Sequence, residues 1–118
     1  MQYSIPDKRA LTPAEIQLLN YLFATSKPEW IALISKLKVI ARCGCGKCPT
    51  ILLGETYDSE IQKGKLLFDY VGEGTNGEKI GVSLLGTDLM PTELEFYSLD
   101  GESDIVEMPK TDTLRPII

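Results

Sequence analysis

Three cysteines fall within six residues in Arg42-Cys43-Gly44-Cys45-Gly46-Lys47-Cys48-Pro49, and they are all the cysteines of the chain. Thiolates this close have the softness to hold zinc, but a structural zinc site takes four ligands. No fourth Cys, no His and no Asp or Glu before Glu55 follows to complete the set. Cys45-Gly46-Lys47-Cys48 also has the spacing of a dithiol redox site, which sets its first sulfur at a helix N-terminus to lower the pKa. Here Pro49 leads into Thr50-Ile51-Leu52-Leu53, which reads as a strand. The expectation is therefore a tight loop between strands, bent at its glycines, with small thiols packed inward and no metal or cofactor. In a reducing cytosol those thiols stay free.

Two further patterns have the outline of chemistry. Gly72-Glu73-Gly74-Thr75-Asn76-Gly77 matches the glycine spacing of a dinucleotide loop, but that loop must open a helix whose N-terminus meets the pyrophosphate. Glu78-Lys79-Ile80-Gly81-Val82-Ser83 reads as a strand, and Asn76-Gly77 is a hairpin-turn dipeptide, so a hairpin is expected. Glu93 and Glu95 lie two apart, with Tyr97 continuing the same strand face. Such a pair suits acid–base work, yet any exposed strand face has the same spacing. Histidine is absent, which removes imidazole catalysis, imidazole metal ligation and Ser–His or Cys–His nucleophiles. The chain is expected not to be an enzyme.

The elements that must position these residues are legible from spacing. Leu11-Thr12-Pro13-Ala14-Glu15-Ile16 starts a helix: Thr12 caps, Pro13 suits the first turn, Glu15 completes a capping box, and Leu11 and Ile16 have the spacing of a hydrophobic staple. Ile16, Leu19, Leu22 and Phe23 then form an apolar stripe, and Trp30, Leu33, Ile34 and Leu37 form a second one after Ser26-Lys27-Pro28-Glu29. Phe23 and Trp30 belong to a core. Beyond Lys38 the pattern becomes short and β-rich: Val39 to Ala41, Thr50 to Leu53, Leu66 to Val71 (interrupted by Asp69), Ile80 to Leu84, Glu93 to Tyr97, and a last strand from Ile105 to Met108. Gly, Asn and Asp in the connections favour antiparallel hairpins. The expected fold class is α+β: two N-terminal helices packed on one face of an antiparallel sheet of four to five strands, with Thr111 to Ile118 as an extended tail.

With 118 residues, the whole of 1–118 is expected to be one domain around one core. No apolar run approaches the ~20 residues of a membrane span, and the polar stretch after Met1 is unlike a signal segment, so a cytoplasmic protein is expected. Charge is uneven. Residues 1–54 carry +4, residues 55–107 carry −10 and the remainder +1, for a net −5. An acidic half repels nucleic acid, and it speeds encounter with a basic protein.

The Arg42-to-Pro49 segment resembles the Cys-Gly-Cys-Pro-type turn of small bacterial immunity proteins, with Gly46-Lys47 as an insertion. Glu93-Leu94-Glu95-Phe96-Tyr97-Ser98-Leu99-Asp100-Gly101-Glu102, followed by Met108-Pro109, resembles the ending of the same proteins, as does the Leu11-to-Glu15 opening. The resemblance implies an immunity protein of a toxin–immunity system such as contact-dependent growth inhibition, which neutralises a cognate toxin domain, often a basic nuclease. Charge distribution independently nominates the partner-binding residues: Glu73, Glu78, Asp88, Glu93, Glu95, Asp100, Glu102 and Asp104, with Tyr97 as an aromatic anchor among them. Nucleic acid and membrane are not expected partners. The alternative is a small metal-binding or thiol protein using Cys43, Cys45 and Cys48; a third possibility is a scaffold subunit of an assembly.

Overall fold

A computed structural model describes residues 4–45, 48–101 and 105–117. The chain opens with strand β1 (Ser4–Ala10), followed by helix α1 (Pro13–Ser26) and a 3₁₀ helix (Pro28–Lys36). The start of α1 is fastened twice. The Thr12 hydroxyl accepts from the Glu15 N–H at 3.1 Å, and the Glu15 carboxylate accepts from the Thr12 N–H at 2.8 Å. Both carboxylate oxygens of Glu15 also accept from the Arg9 guanidinium, each at 2.9 Å, which ties the helix to β1. Burial alone would push the Glu15 carboxyl up; the Arg9 and Thr12 donors outweigh it and hold the carboxyl below its ordinary value. Glu15 thereby occupies the first inward position of α1, and Leu18, Leu19, Leu22 and Phe23 continue that buried stripe. Ile16, expected on the stripe, lies about 100° further round the helix and is exposed.

Among the described residues, seven strands form one sheet. After β1 come β2 (Lys38–Cys43), β3 (Ile51–Gly54), β4 (Lys65–Glu73), β5 (Lys79–Gly86), β6 (Pro91–Ser98) and the two-residue β7 (Arg115–Pro116). The order is β1-β2-β3-β6-β5-β4-β7, and every pairing is antiparallel. Two meanders, β1-β2-β3 and β4-β5-β6, therefore meet along β3 and β6. That seam holds two register pairs, Ile51↔Leu94 and Leu52↔Glu93. It is prolonged by the buried Thr50, whose hydroxyl accepts from the Phe96 N–H at 2.9 Å. The helices cover one face, where Leu19, Leu22, Phe23, Trp30 and Ile34 join Val39, Ile51, Leu53, Tyr70, Val82, Leu84, Leu94 and Phe96 in one core. Phe23 meets Trp30 edge-on at 5.7 Å, and the Ser26 and Tyr70 hydroxyls bond helix to sheet. On the other face a small separate cluster forms from Ile40, Ala41 and Leu52.

The class is α+β, as expected, but the sheet has seven strands, not four to five. The sequence misses β1 because Ser4-Ile5-Pro6-Asp7-Lys8-Arg9-Ala10 is polar and its register slips between Pro6 and Arg9, as suits an edge. It misses β7 because two residues, one of them proline, carry no period. Ile105 to Met108 is no strand. Ile105 is buried in the core, while the outer edge of β4 is taken by the tail, whose Ile117 N–H donates to the Asp69 carbonyl at 2.7 Å. The second expected helix winds as a 3₁₀ helix, with three-residue bonds from Trp30 N–H to Lys27 and from Leu37 N–H to Ile34 at its ends. No helix among the described residues is long and apolar enough to cross a membrane.

Folded Glu15 holds its proton less tightly than unfolded Glu15. Its stabilisation is thus complete above the ordinary glutamate value and lost as pH falls through the lower folded value. Glu15→Gln should cost about 1–2 kcal/mol at neutral pH. In thermal melts, the gap between parent and variant should close as the solution is acidified; a gap independent of pH would contradict this role.

Candidate functional site

Alternation along β4, β5 and β6 sends every second side chain to the face that the helices leave bare. Register places these side chains in rows across the strands. Asp69, Ser83 and Glu95 form the middle row. Val71, Gly81 and Tyr97 form the row on one side, and Leu85, Glu93 and Leu52 the row on the other. Three carboxylates thus share one sheet face: Asp69 and Glu95 two strands apart, about 10 Å, with Ser83 between them, and Glu93 two residues from Glu95 along β6.

Tyr97 is held in place by what Gly81 lacks. A Cβ at Gly81 would collide with the Tyr97 ring, so the bare glycine lets the ring lie across β5. The phenol then donates to Asp69 Oδ1 at 2.8 Å, two strands away, and the Ser83 hydroxyl donates to the same oxygen at 3.0 Å. Burial, helped by the bond to Asp69, pushes the Tyr97 phenol up, so it stays protonated as a donor.

Glu95 is placed differently. Burial first, then the charges of Glu93 and Asp69, push its carboxyl above the ordinary value. Neither Glu95 nor Asp69 forms an ion pair among the described residues. The folded state therefore binds a proton at Glu95 more tightly than the unfolded chain does, and the ionised form costs stability at neutral pH.

The nominated residues divide by place. Glu93, Glu95 and Tyr97 come together on the helix-free face, with Glu93 buried and Glu95 and Tyr97 half-buried. Glu73 borders it as the partner of Lys79 at 2.9 Å, a neutralised pair in which Lys79 holds the Glu73 carboxyl below its ordinary value. Glu78 serves the β4–β5 turn, accepting from the Asn76 N–H at 3.0 Å, and Gly77 at φ +82° completes that hairpin where the dinucleotide-like glycines stand. Asp88 is paired with Lys65 at 3.1 Å at the opposite end of the sheet. Asp100 is exposed beyond β6 and accepts from Ser98. Glu102 and Asp104 lie outside the described residues. Sequence reasoning missed Asp69, Ser83 and Gly81. The available signal was the lone acid inside the apolar Leu66-to-Val71 run.

The cysteines occupy the β2–β3 hairpin. Cys43 ends β2 with its N–H donating to the Thr50 carbonyl at 3.1 Å. Its thiol is pushed up to about 11, chiefly by burial, with the Cys45 and Cys48 sulfurs adding to it. That is opposite to a redox nucleophile, and the loop opens no helix.

No family model, no curated protein and no solved structure matches this chain. The assignment of the bare face accordingly rests on its own geometry.

Tyr97→Phe should cost about 1–2 kcal/mol by deleting one bond to a carboxylate. Gly81→Ala should cost more, about 2–4 kcal/mol, because it displaces the ring as well. Both remove the same bond, so denaturant unfolding of the double variant should show a cost well below the sum. Strict additivity would disprove the coupling.

Proposed function

We propose that the chain is a stoichiometric protein inhibitor of the bacterial immunity type, which docks a basic toxin domain, of nuclease class, on the helix-free face of its sheet. The observation that carries this is the grouping of Asp69, Glu93 and Glu95 around a fixed Tyr97, with Glu95 raised by burial first and then by its acidic neighbours. A nuclease working face must be cationic to attract phosphate. Carboxylates spread over a rigid sheet can occupy such a face in place of the substrate's phosphates. A lysine or arginine set beside Glu95 would offset the burial and neighbouring charges that raise its carboxyl, so part of the binding energy comes from a cost already present in the free chain.

Charge supplies rate and selectivity; tight binding needs a desolvated anchor as well. Tyr97 is suited to that part. Its ring is pinned over Gly81 before any partner arrives, so little side-chain entropy is lost on docking. An inhibitor of this kind performs no chemistry, works in the cytoplasm beside its target, and touches neither nucleic acid nor membrane directly.

The test uses the toxin domain encoded by the neighbouring gene. Glu93→Gln, isosteric at a buried position, with Glu95→Lys at a half-buried one should leave the chain folded and slow association about tenfold or more at low ionic strength, with the difference shrinking as salt is added. Cells carrying the variant should lose protection. The proposal fails if the neighbouring gene encodes no such domain, or if the double variant binds and protects as well as the parent.

A further inference from the structure

We infer that Cys43, Cys45 and Cys48 form a three-thiolate site for one zinc ion, at the end of the sheet where the β2–β3 hairpin turns. The three Sγ atoms all lie within 4.8 Å of one another. Tetrahedral zinc with Zn–S bonds of about 2.3 Å needs its sulfurs about 3.8 Å apart, so this convergence is at metal-binding scale. The Cys45 and Cys48 sulfurs are 3.2 Å apart, well beyond a disulfide bond of about 2.05 Å, and none of the three cysteines is in a disulfide. A disulfide would in any case use two sulfurs and leave the third without a purpose, whereas a soft cation uses all three.

The frame around the sulfurs is that of a ligand loop. The Cys48 N–H donates to the Cys45 sulfur at 3.3 Å, the kind of outer contact that orients and tunes a thiolate ligand. Cys43 is set by the sheet itself, through its pairing with Ser4 on β1 and its N–H bond to Thr50. Thr50 is in turn bound to Phe96 across the central seam. One ligand is thus anchored in the sheet and two are carried by the turn. Cys45 is exposed, and with three protein thiolates the fourth ligand of a tetrahedral zinc would be water or a donor from outside the loop. Each Zn–S bond replaces an S–H bond, and the proton passes to the buffer.

The experiment uses the full chain, reduced and purified without chelator, titrated with zinc against a chromophoric competitor and separately with cobalt(II). One zinc per chain is expected, with tetrahedral cobalt bands and thiolate-to-cobalt charge transfer. X-ray absorption should show three sulfur neighbours at about 2.3 Å. Outer-shell partners alone are worth about 10–100-fold in metal affinity, so Cys45→Ser, at an exposed position, should weaken binding by more than about 100-fold. Glu93→Gln with Glu95→Gln should leave it unchanged, which separates this site from the acidic face. Failure of the reduced parent to compete for zinc, or equal binding by the triple Cys→Ser variant, would overturn the inference.

Discussion

Each strand in the middle of this sheet must satisfy two environments at once, and that constraint places the candidate site. Tyr70, Val82 and Phe96 sit in one register row facing the helices, one residue away from Asp69, Ser83 and Glu95 facing out. A slip of a single residue would drive two carboxylates into the core and lift the core side chains into water. The apolar packing beneath therefore locks the acidic face above. Helix α1 contributes to the same lock from a distance, since its buried stripe begins with Glu15, which the Arg9 guanidinium of β1 makes tolerable inside.

Acidic groups on the helix-free face differ in how they are compensated. At its margins Glu73 and Lys79 neutralise each other, as do Asp88 and Lys65 at the far end. Towards its centre Glu95 carries the cost of its burial, and of the Glu93 and Asp69 charges near it, in a raised proton affinity. Stability would favour a lysine or a neutral residue there. Sites that keep such a cost are commonly the ones that use it, since the strain is released by whatever binds. Tyr97, braced over Gly81 and bonded to Asp69, gives the patch a fixed feature on which a partner could register.

Much of the architecture was legible before any coordinates. The capping box of Thr12 and Glu15, the hairpin at Asn76-Gly77 and the alternation from Glu93 to Tyr97 each state their structure locally. What stayed hidden depends on long-range pairing. Asp69 is 26 residues from Glu95 in sequence, and only the shared neighbour Ser83 on β5 brings the two into one row. The edge strands β1 and β7 have weak patterns because an edge packs less and carries prolines and charges by necessity. In the cysteine loop, counting ligands in the sequence finds three and no fourth; the convergence of the three sulfurs is a matter of distance, which sequence spacing does not contain.

The most direct check is an NMR titration of the Glu95 carboxyl carbon, in the free chain and in its complex with the cationic domain. The free carboxyl should titrate above the ordinary glutamate range and return toward it when Asp69 is replaced by Asn; in the complex it should fall lower still. A free value in or below the ordinary range, or one that the partner leaves unmoved, would contradict the account.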